Sequence, residues 1–189
     1  MTDAATTTDA PTAPTRSITD APDPARTEEE VAAWVGVAID AGFGEIVAEQ
    51  GYVLHWNEAV ENANPLYWDA DLCREVTGDL IAPPSMLSVW MRPLMFKPGR
   101  TEFIRPLELH FRLKDALELP KGIVASNEIT FGEPVRLGDR VRTVQSVRSI
   151  SAIKTIKLGT GRFWTIDATY SNQDGAVVGV ESYDFFCYR

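Results

Sequence analysis

The sequence is poor in cysteine, histidine and positive charge, and it has no long apolar run. Each shortage removes a class of function. Two cysteines, Cys73 and Cys187, cannot staple a secreted scaffold, and neither stands in a Gly-rich or His-adjacent setting that would activate a thiol nucleophile. Both read as reduced, packed side chains. Two histidines beside two cysteines, with no paired ligand spacing, do not make a zinc site, so neither a metal nor a cofactor is expected. Lys and Arg total 18 against 27 Asp and Glu, a formal charge of −9. A polyanion needs a basic face, so nucleic acid is not an expected partner, whereas a CoA-type nucleotide needs only one local basic spot. No stretch approaches the roughly 20 apolar residues that span a bilayer. The N-terminus has neither a basic n-region nor an apolar h-region, and the expectation is a cytoplasmic protein.

What is present is enough apolar material for one core: 44% of 189 residues are hydrophobic. Residues 1–26, rich in Thr, Ala, Pro and Asp, cannot bury enough surface to offset the entropy of ordering and read as a disordered tail. Residues 27–189 are expected to form a single domain. It opens on "TEEE", a capping box in which Thr27 caps and Glu30 reaches back. Val31, Trp34, Val35 and Ala38 follow at helical spacing, predicting a helix that Gly42 or Gly44 ends. A second helix is predicted over much of 48–62, with Leu54, Ala59, Val60 and Ala63 as its inner face. It stops near Asn64, because Pro65 pushes the residue before it out of the α region. A third begins at "PPSML" (83–87), and "SMLSVWM" (85–91), apolar nearly all round, marks it as buried; Pro93 kinks or ends it.

The second half changes character. The stretches 123–131, 139–150, 162–171 and 176–188 are rich in β-branched and aromatic residues, and Trp164, Ile166, Ala168 and Tyr170 alternate with polar neighbours at the period of a half-buried strand. "NQDG" (172–175) predicts a tight hairpin turn, while "LGD" (137–139) and "LGTG" (158–161) separate the other strands. With no helix of useful length between them, crossover units are excluded and the sheet is antiparallel. The fold class is therefore α+β, with the sheet wrapped around the one apolar helix.

"NANPLYWD" (62–69) is, taken alone, a helix end followed by a Pro turn. It is followed in order by "IAPPSML" (81–87), "PVRLGDRV" (134–141) and "YSNQDGAVV" (170–178). In that joint order the chain resembles the MaoC-like dehydratases and hydratases of the hot-dog fold. The match is to the N-terminal halves of two-domain members and to the separate non-catalytic subunits of heteromeric enoyl-thioester hydratases. The tail and first helix lie outside it. Catalytic members carry D-x-N-P-[LI]-H, and the resemblance implies that the Asp and His there hold a water and move its proton. Aligned on Asn64-Pro65-Leu66, Asn62 stands at the Asp position and Tyr67 at the His position. Asn cannot take a proton, and a phenol with an ordinary pKa of about 10 is a poor shuttle near neutrality. Ser85 takes the place of the family's Gly at the start of the central helix, and Pro84 before it has no N–H to offer.

The resemblance thus implies a non-catalytic subunit that lines an acyl tunnel and closes an interface. Its partner would be a second MaoC-like subunit carrying the Asp/His pair, and its substrate an acyl-CoA thioester with a long or bulky fatty-acyl or steroid side chain. Asn64, Tyr67, Ser85, Met86 and Trp90 would touch substrate. Two alternatives stand beside it: a self-sufficient homodimeric hydratase or thioesterase, and an acyl-CoA-binding protein without enzymatic role. No other residue is assigned catalysis. His55 reads as a helix-surface imidazole, His110 in "LELHF" as a strand residue, and Glu61 and Asp69 as solvated carboxylates. Trp56 and Trp68 read as core or as pocket walls. Gly138 and Asp139 read as a structural turn, and Arg136, Arg140, Arg142 and Arg148 as a solvated strand face or a contact for CoA phosphates.

Overall fold

Thr27 stands at the start of the residues described by the computed structural model, 27–102 and 104–189. The tail expected over 1–26 lies outside the described residues. Thr27 forms the expected capping box: its Oγ1 accepts from the Glu30 N–H at 3.2 Å, and the Glu30 carboxylate accepts from the Thr27 N–H at 2.5 Å. The helix it opens, α1 (Glu28–Ala32), is far shorter than predicted. Gly36, at φ +84°, breaks it and donates to the Val147 carbonyl, and Ala38–Phe43 form strand β1. The apolar residues at 31, 34 and 38 are all buried, but from a helix, a turn and a strand in succession. Glu28 ties α1 to the sheet through the Arg162 guanidinium, which is itself buried.

Helix α2 (Gln50–Ala59) is where the second helix was expected, but it buries a different face. Val53 and Asn57 point inward with Trp56 half-buried beside them, while Ala59, Val60 and Ala63 are exposed and Leu54 is half-buried. A hydropathy reading misses that face because one of its central residues is a buried amide. A 3-10 turn at Pro65–Tyr67 follows. Helix α3 (Ala70–Thr77) comes next, capped by Asp69, whose carboxylate accepts from the Asp71 and Leu72 N–H groups. The apolar segment forms a 3-10 helix, Pro84–Met91, with Met86, Leu87 and Trp90 buried. "LELHF" is not a strand: it opens helix α4 (Glu108–Ala116), and His110 is buried on it. Leu109, Leu113 and Ala116 share the buried face, a helical spacing that cannot be seen within 109–111 alone.

Strands β2 (Lys121–Phe131), β3 (Arg142–Ile150), β5 (Gly159–Ser171) and β6 (Val177–Tyr188) match the four predicted runs; β1 and the short β4 (Lys154–Ile156) were not foreseen. Part of "LGTG" is strand rather than separator, since β5 begins at Gly159. The sheet is antiparallel throughout, in the order β1-β3-β5-β6-β2, with β4 paired to β5. The predicted β5–β6 turn is closed by Asn172, whose side-chain oxygen accepts from the Asp174 and Ala176 N–H groups.

The sheet wraps around helix, as predicted, but the helical layer is in two pieces. Trp164 and Ile166 of β5 pack in one apolar cluster with Leu109 and Leu113 of α4. Ala168 and Tyr170, further along the same face, pack in a second with Met86, Leu87 and Trp90. The 84–91 helix sits close because glycines let it. A Cβ at Gly179 of β6 would lie 2.5 Å from Leu87 Cδ2, and one at Gly44 would run into the Trp90 carbonyl oxygen. The layer therefore breaks between Met91 and Glu108, over the middle of the sheet.

Candidate functional site

The loop that carries Asn62 and Tyr67 is held by its own side chains. Asn62 donates from Nδ2 to Asn57 Oδ1 at 2.9 Å, and its Oδ1 accepts from the Asn64 N–H at 3.1 Å. Its carbonyl accepts from Trp68 Nε1 at 2.7 Å. Asn64 Oδ1 in turn accepts from the Leu66 N–H at 3.1 Å, which starts the 3-10 turn that Pro65 favours. The Asn62 amide is thus bound at both ends. It lines an open recess of about 460 Å³ with Asn57, Pro65 and Trp68. Tyr67 faces elsewhere, into a cavity of only about 20 Å³ among Val53, Cys73, Leu80 and Leu137. Burial, and secondarily Cys73, raise the Tyr67 pKa above its ordinary value, which keeps the phenol protonated. The two positions line different cavities.

The other predicted contact residues disperse. Asn64 is exposed, Ser85 is exposed at the start of the 84–91 helix, and Met86 and Trp90 are fully buried core. Trp90 meets the Tyr52 ring edge-on, and its indole N–H has no partner among the described residues. Trp56 is half-buried against the same core, and Trp68 is half exposed on the open recess. His55 is exposed and pairs with Glu58 at 3.3 Å. His110 Nδ1 stands 3.3 Å from the Trp164 indole N–H and accepts from it. Burial first, and Lys114 second, push its pKa down to about 4, so it stays neutral at pH 7. Asp69 is exposed, as expected, and also caps α3, and Glu61 is exposed. Both cysteines are free and buried, and burial pushes the Cys187 thiol up to about 12.

The arginines are mostly occupied. Arg142 pairs with Asp40, Arg148 with Asp167 and Ser182, and Arg140 lies over the Phe43 ring. Arg136 donates to the Thr77 carbonyl. Asp139 accepts from the Arg136 N–H at 2.8 Å beside Gly138 at φ +98°, the turn expected there. Its second oxygen accepts from Gln173, linking that turn to the β5–β6 hairpin.

The gap in the helical layer holds a different site. A cavity of about 440 Å³ is floored by Thr143 and Gln145 of β3, Ala168 and Tyr170 of β5 and Tyr183 of β6, and walled by Ser88, Met91 and Leu107. Gln145 closes its inner end: Oε1 accepts from the Leu109 N–H and Nε2 donates to the Pro106 carbonyl, both at 3.1 Å. The Tyr170 hydroxyl donates to buried Glu181 at 3.0 Å, and Asn127 donates to the other Glu181 oxygen at 3.0 Å. Burial, with Glu181 beside them, raises the pKa of both Tyr170 and Tyr183 well above the ordinary phenol value. Thr143, 4% exposed, has no partner for its hydroxyl among the described residues. An unpaired buried hydroxyl costs about 1–3 kcal/mol. Arg92, exposed at the rim, has no carboxylate partner among the described residues. This arrangement can hold an apolar chain, but it presents no acid/base pair with a free site.

Sequence reading passed over these residues, although a signal was there. Thr143 and Gln145 fall in phase with Val141 and Val147, and Glu181 with Tyr183 and Phe185, so each puts a polar group at an inward-facing position. Among the described residues no cluster of three His, Cys, Asp or Glu side chains could hold a metal ion, and no helix is long and apolar enough to cross a membrane.

Comparison with known proteins places these features. Residues 33–180 match the family model of the FAS1-like dehydratase domain region. A curated relative, a probable enoyl-CoA hydratase alpha subunit from Thermomonospora curvata, is 28% identical over 171 residues, covering 86% of this chain and 52% of its own length. The chain thus spans about half of that relative. Among solved structures, the ChsH1-ChsH2 complex from Mycobacterium tuberculosis contains a chain similar at TM-score 0.64 and 22% identity, over 78% of this chain and 82% of that one. A MaoC-like dehydratase from Rhodospirillum rubrum is similar at TM-score 0.57 and 22% identity, over 82% and 92%. At these identities the structural likeness establishes the hot-dog fold.

Proposed function

The chain belongs to the FAS1-like dehydratase-region family of MaoC-like hot-dog proteins, and from that premise we propose that it is the non-catalytic subunit of a heteromeric enoyl-CoA hydratase. The observation that carries this reading is the state of the degenerate loop. The Asn62 side chain is committed to the turn, and Tyr67 is held protonated beside a separate, much smaller cavity. Proton transfer to and from water then falls to a partner subunit with the intact Asp/His pair.

Two features support what remains for this chain to do. The cavity of about 440 Å³ lies within the roughly 300–1,000 Å³ span of small-molecule sites and is partly apolar, which suits an acyl chain. Strand β2 ends the sheet over 11 residues, nearly all exposed, with Ile123, Val124 and Phe131 among them. Such an edge offers unpaired backbone groups to another strand, and a second hot-dog sheet would satisfy them. The substrate would be an acyl-CoA thioester, long or bulky in its acyl part. Asn64, Ser85, Met86 and Trp90 then act by shaping the loop and the helix rather than by lining the cavity.

Co-expression with a MaoC-type chain carrying D-x-N-P-[LI]-H from the same genome tests the proposal. The two chains are expected to purify together and hydrate enoyl-CoA. Alanine at the partner's Asp or His should abolish turnover, whereas alanine at Tyr67 should change it only a few-fold. A homodimer of this chain that hydrates enoyl-CoA unaided would overturn the reading.

A further inference from the structure

We propose that the loop between the 84–91 helix and α4 docks the protein on an anionic phospholipid surface, with the mouth of the large cavity facing the lipid. The acyl-binding reading above supplies the purpose of that docking; the docking itself rests on the loop. Leu94, Met95 and Phe96 form its tip, and all three are exposed, Met95 by 67% and Phe96 by 84%. The tip is not a slack end, because the loop is braced beneath it. Arg100 donates to the Leu94 carbonyl and to the Glu45 carboxylate, and Lys97 pairs with Glu45 at 3.3 Å. Pro98 and Gly99, the latter at φ +81°, turn the chain, and the Arg100 N–H closes the turn on the Lys97 carbonyl at 3.0 Å. Exposure of three successive residues puts apolar surface on both sides of the chain. A lipid interface surrounds such a tip, whereas a single protein face covers one side. Cations stand beside it. Arg92 and Lys97 bracket the tip, both exposed, and Arg140 lies over the exposed Phe43 ring on the cavity rim. The chain as a whole carries −9, so attraction to an anionic surface is local to this rim and fixes the orientation. Arg92 and Pro93 before the tip, and Ile104 and Arg105 after it, line the cavity, so its mouth opens at the base of the tip. A long acyl chain partitions into bilayers, and a mouth at headgroup level takes it from there. The partner edge is elsewhere: Glu45, which anchors the loop, follows β1, and β1 and β2 are opposite ends of the strand order.

Flotation tests the inference, with vesicles of phosphatidylcholine alone and of phosphatidylcholine with about one third phosphatidylglycerol. It is run on the complex with the proposed partner subunit, or on the full chain where no complex forms. The protein is expected to float with the anionic vesicles, not with the neutral ones, and to be released as salt is raised. Met95→Ser with Phe96→Ser should weaken binding more than tenfold, the loss of two apolar side chains from the interface. Both residues are exposed, so this variant should keep the wild-type urea midpoint and report on docking rather than folding. Phe96→Trp should keep binding, and brominated lipid should quench its added indole. Absence of binding to anionic vesicles, equal binding to neutral ones, or binding that survives the double serine variant overturns the inference. So does release of the partner subunit by that variant, which would make the tip a subunit contact. Calorimetry with decanoyl-CoA tests the acyl-binding reading separately, so the failure of one is distinguishable from the failure of the other.

Discussion

The Asn57–Asn62 pair shows how Asn62, standing where the motif of the resemblance has Asp, is built into the scaffold. Asn57 is fully buried, and while its Oδ1 accepts from Asn62, its Nδ2 has no partner among the described residues. Rotating that amide by half a turn exchanges donor and acceptor. Asn62→Asp can therefore keep both contacts, one carboxylate oxygen on the Asn64 N–H and the other on the rotated Asn57 amide. It is expected to cost under about 1 kcal/mol in urea denaturation, against about 1–2 kcal/mol for Asn62→Ala, which loses both. The double substitution Asn62→Asp/Tyr67→His should fold but not hydrate enoyl-CoA alone, since the two positions face different cavities; loss of the enoyl-thioester absorbance would report any turnover. His110 supplies a pH dependence. Its folded pKa, about 4, lies below the ordinary 6.5, so as pH falls through that interval the unfolded chain takes up a proton that the folded chain refuses. Stability present above pH 6.5 is lost progressively toward pH 4, by an amount of order 3 kcal/mol. His110→Gln keeps an acceptor for Trp164 and removes the titration, so the wild-type advantage over it should shrink between pH 7 and pH 4. A pH-independent difference in urea midpoints would refute this. At this scale the motif shows Asn62 and Tyr67 standing where the resemblance implies Asp and His. The cavity-lining Thr143 could not be read in this way, because a polar residue in an inward phase gains meaning only once the layer above it is seen to be open.

Among the elements, the short 84–91 helix depends most on what it touches. It is a 3-10 helix, with poorer hydrogen bonding than an α-helix, and it is held to the sheet through Leu87 over Gly179 and Trp90 over Gly44. Gly179→Ala drives a methyl into Leu87 and should cost about 1–3 kcal/mol. Leu87→Ala alone should cost about 2–5 kcal/mol as a core truncation. Because the two side chains compete for one space, Gly179→Ala should cost less in the Leu87→Ala background than in the wild type, and a double-mutant cycle of urea midpoints measures that coupling. Strands were legible where alternation ran long, as in 162–171, and the hairpin where Asn172 and Gly175 marked it. The helices were less so. Val31, Trp34 and Ala38 matched a helical period that Gly36 interrupts, and the α2 face was hidden by Asn57. For α4, a three-residue alternation at 109–111 mimicked a strand until Leu113 and Ala116 extended the pattern.

At the scale of the whole molecule, the antiparallel sheet and its family were legible because four long strands and several motifs agree in order. The split in the helical layer was not, since it depends on the distance between two elements that no local pattern encodes. The sheet also ends in an edge that nothing within the described chain covers. If the proposed partner docks there, Val124→Glu with Phe131→Glu places charge on that exposed edge and should release it while leaving the circular-dichroism spectrum unchanged; size-exclusion chromatography of the co-expressed pair reads the outcome. Under the proposed pairing with a second subunit, the same edge sets a rule of dosage. A copy made in excess of its partner carries 11 residues of unpaired strand into a crowded cell, where other unpaired edges are the competing mates. Synthesis of the two subunits is then under pressure to stay matched, and the surplus of this one is what aggregation and proteolysis would remove.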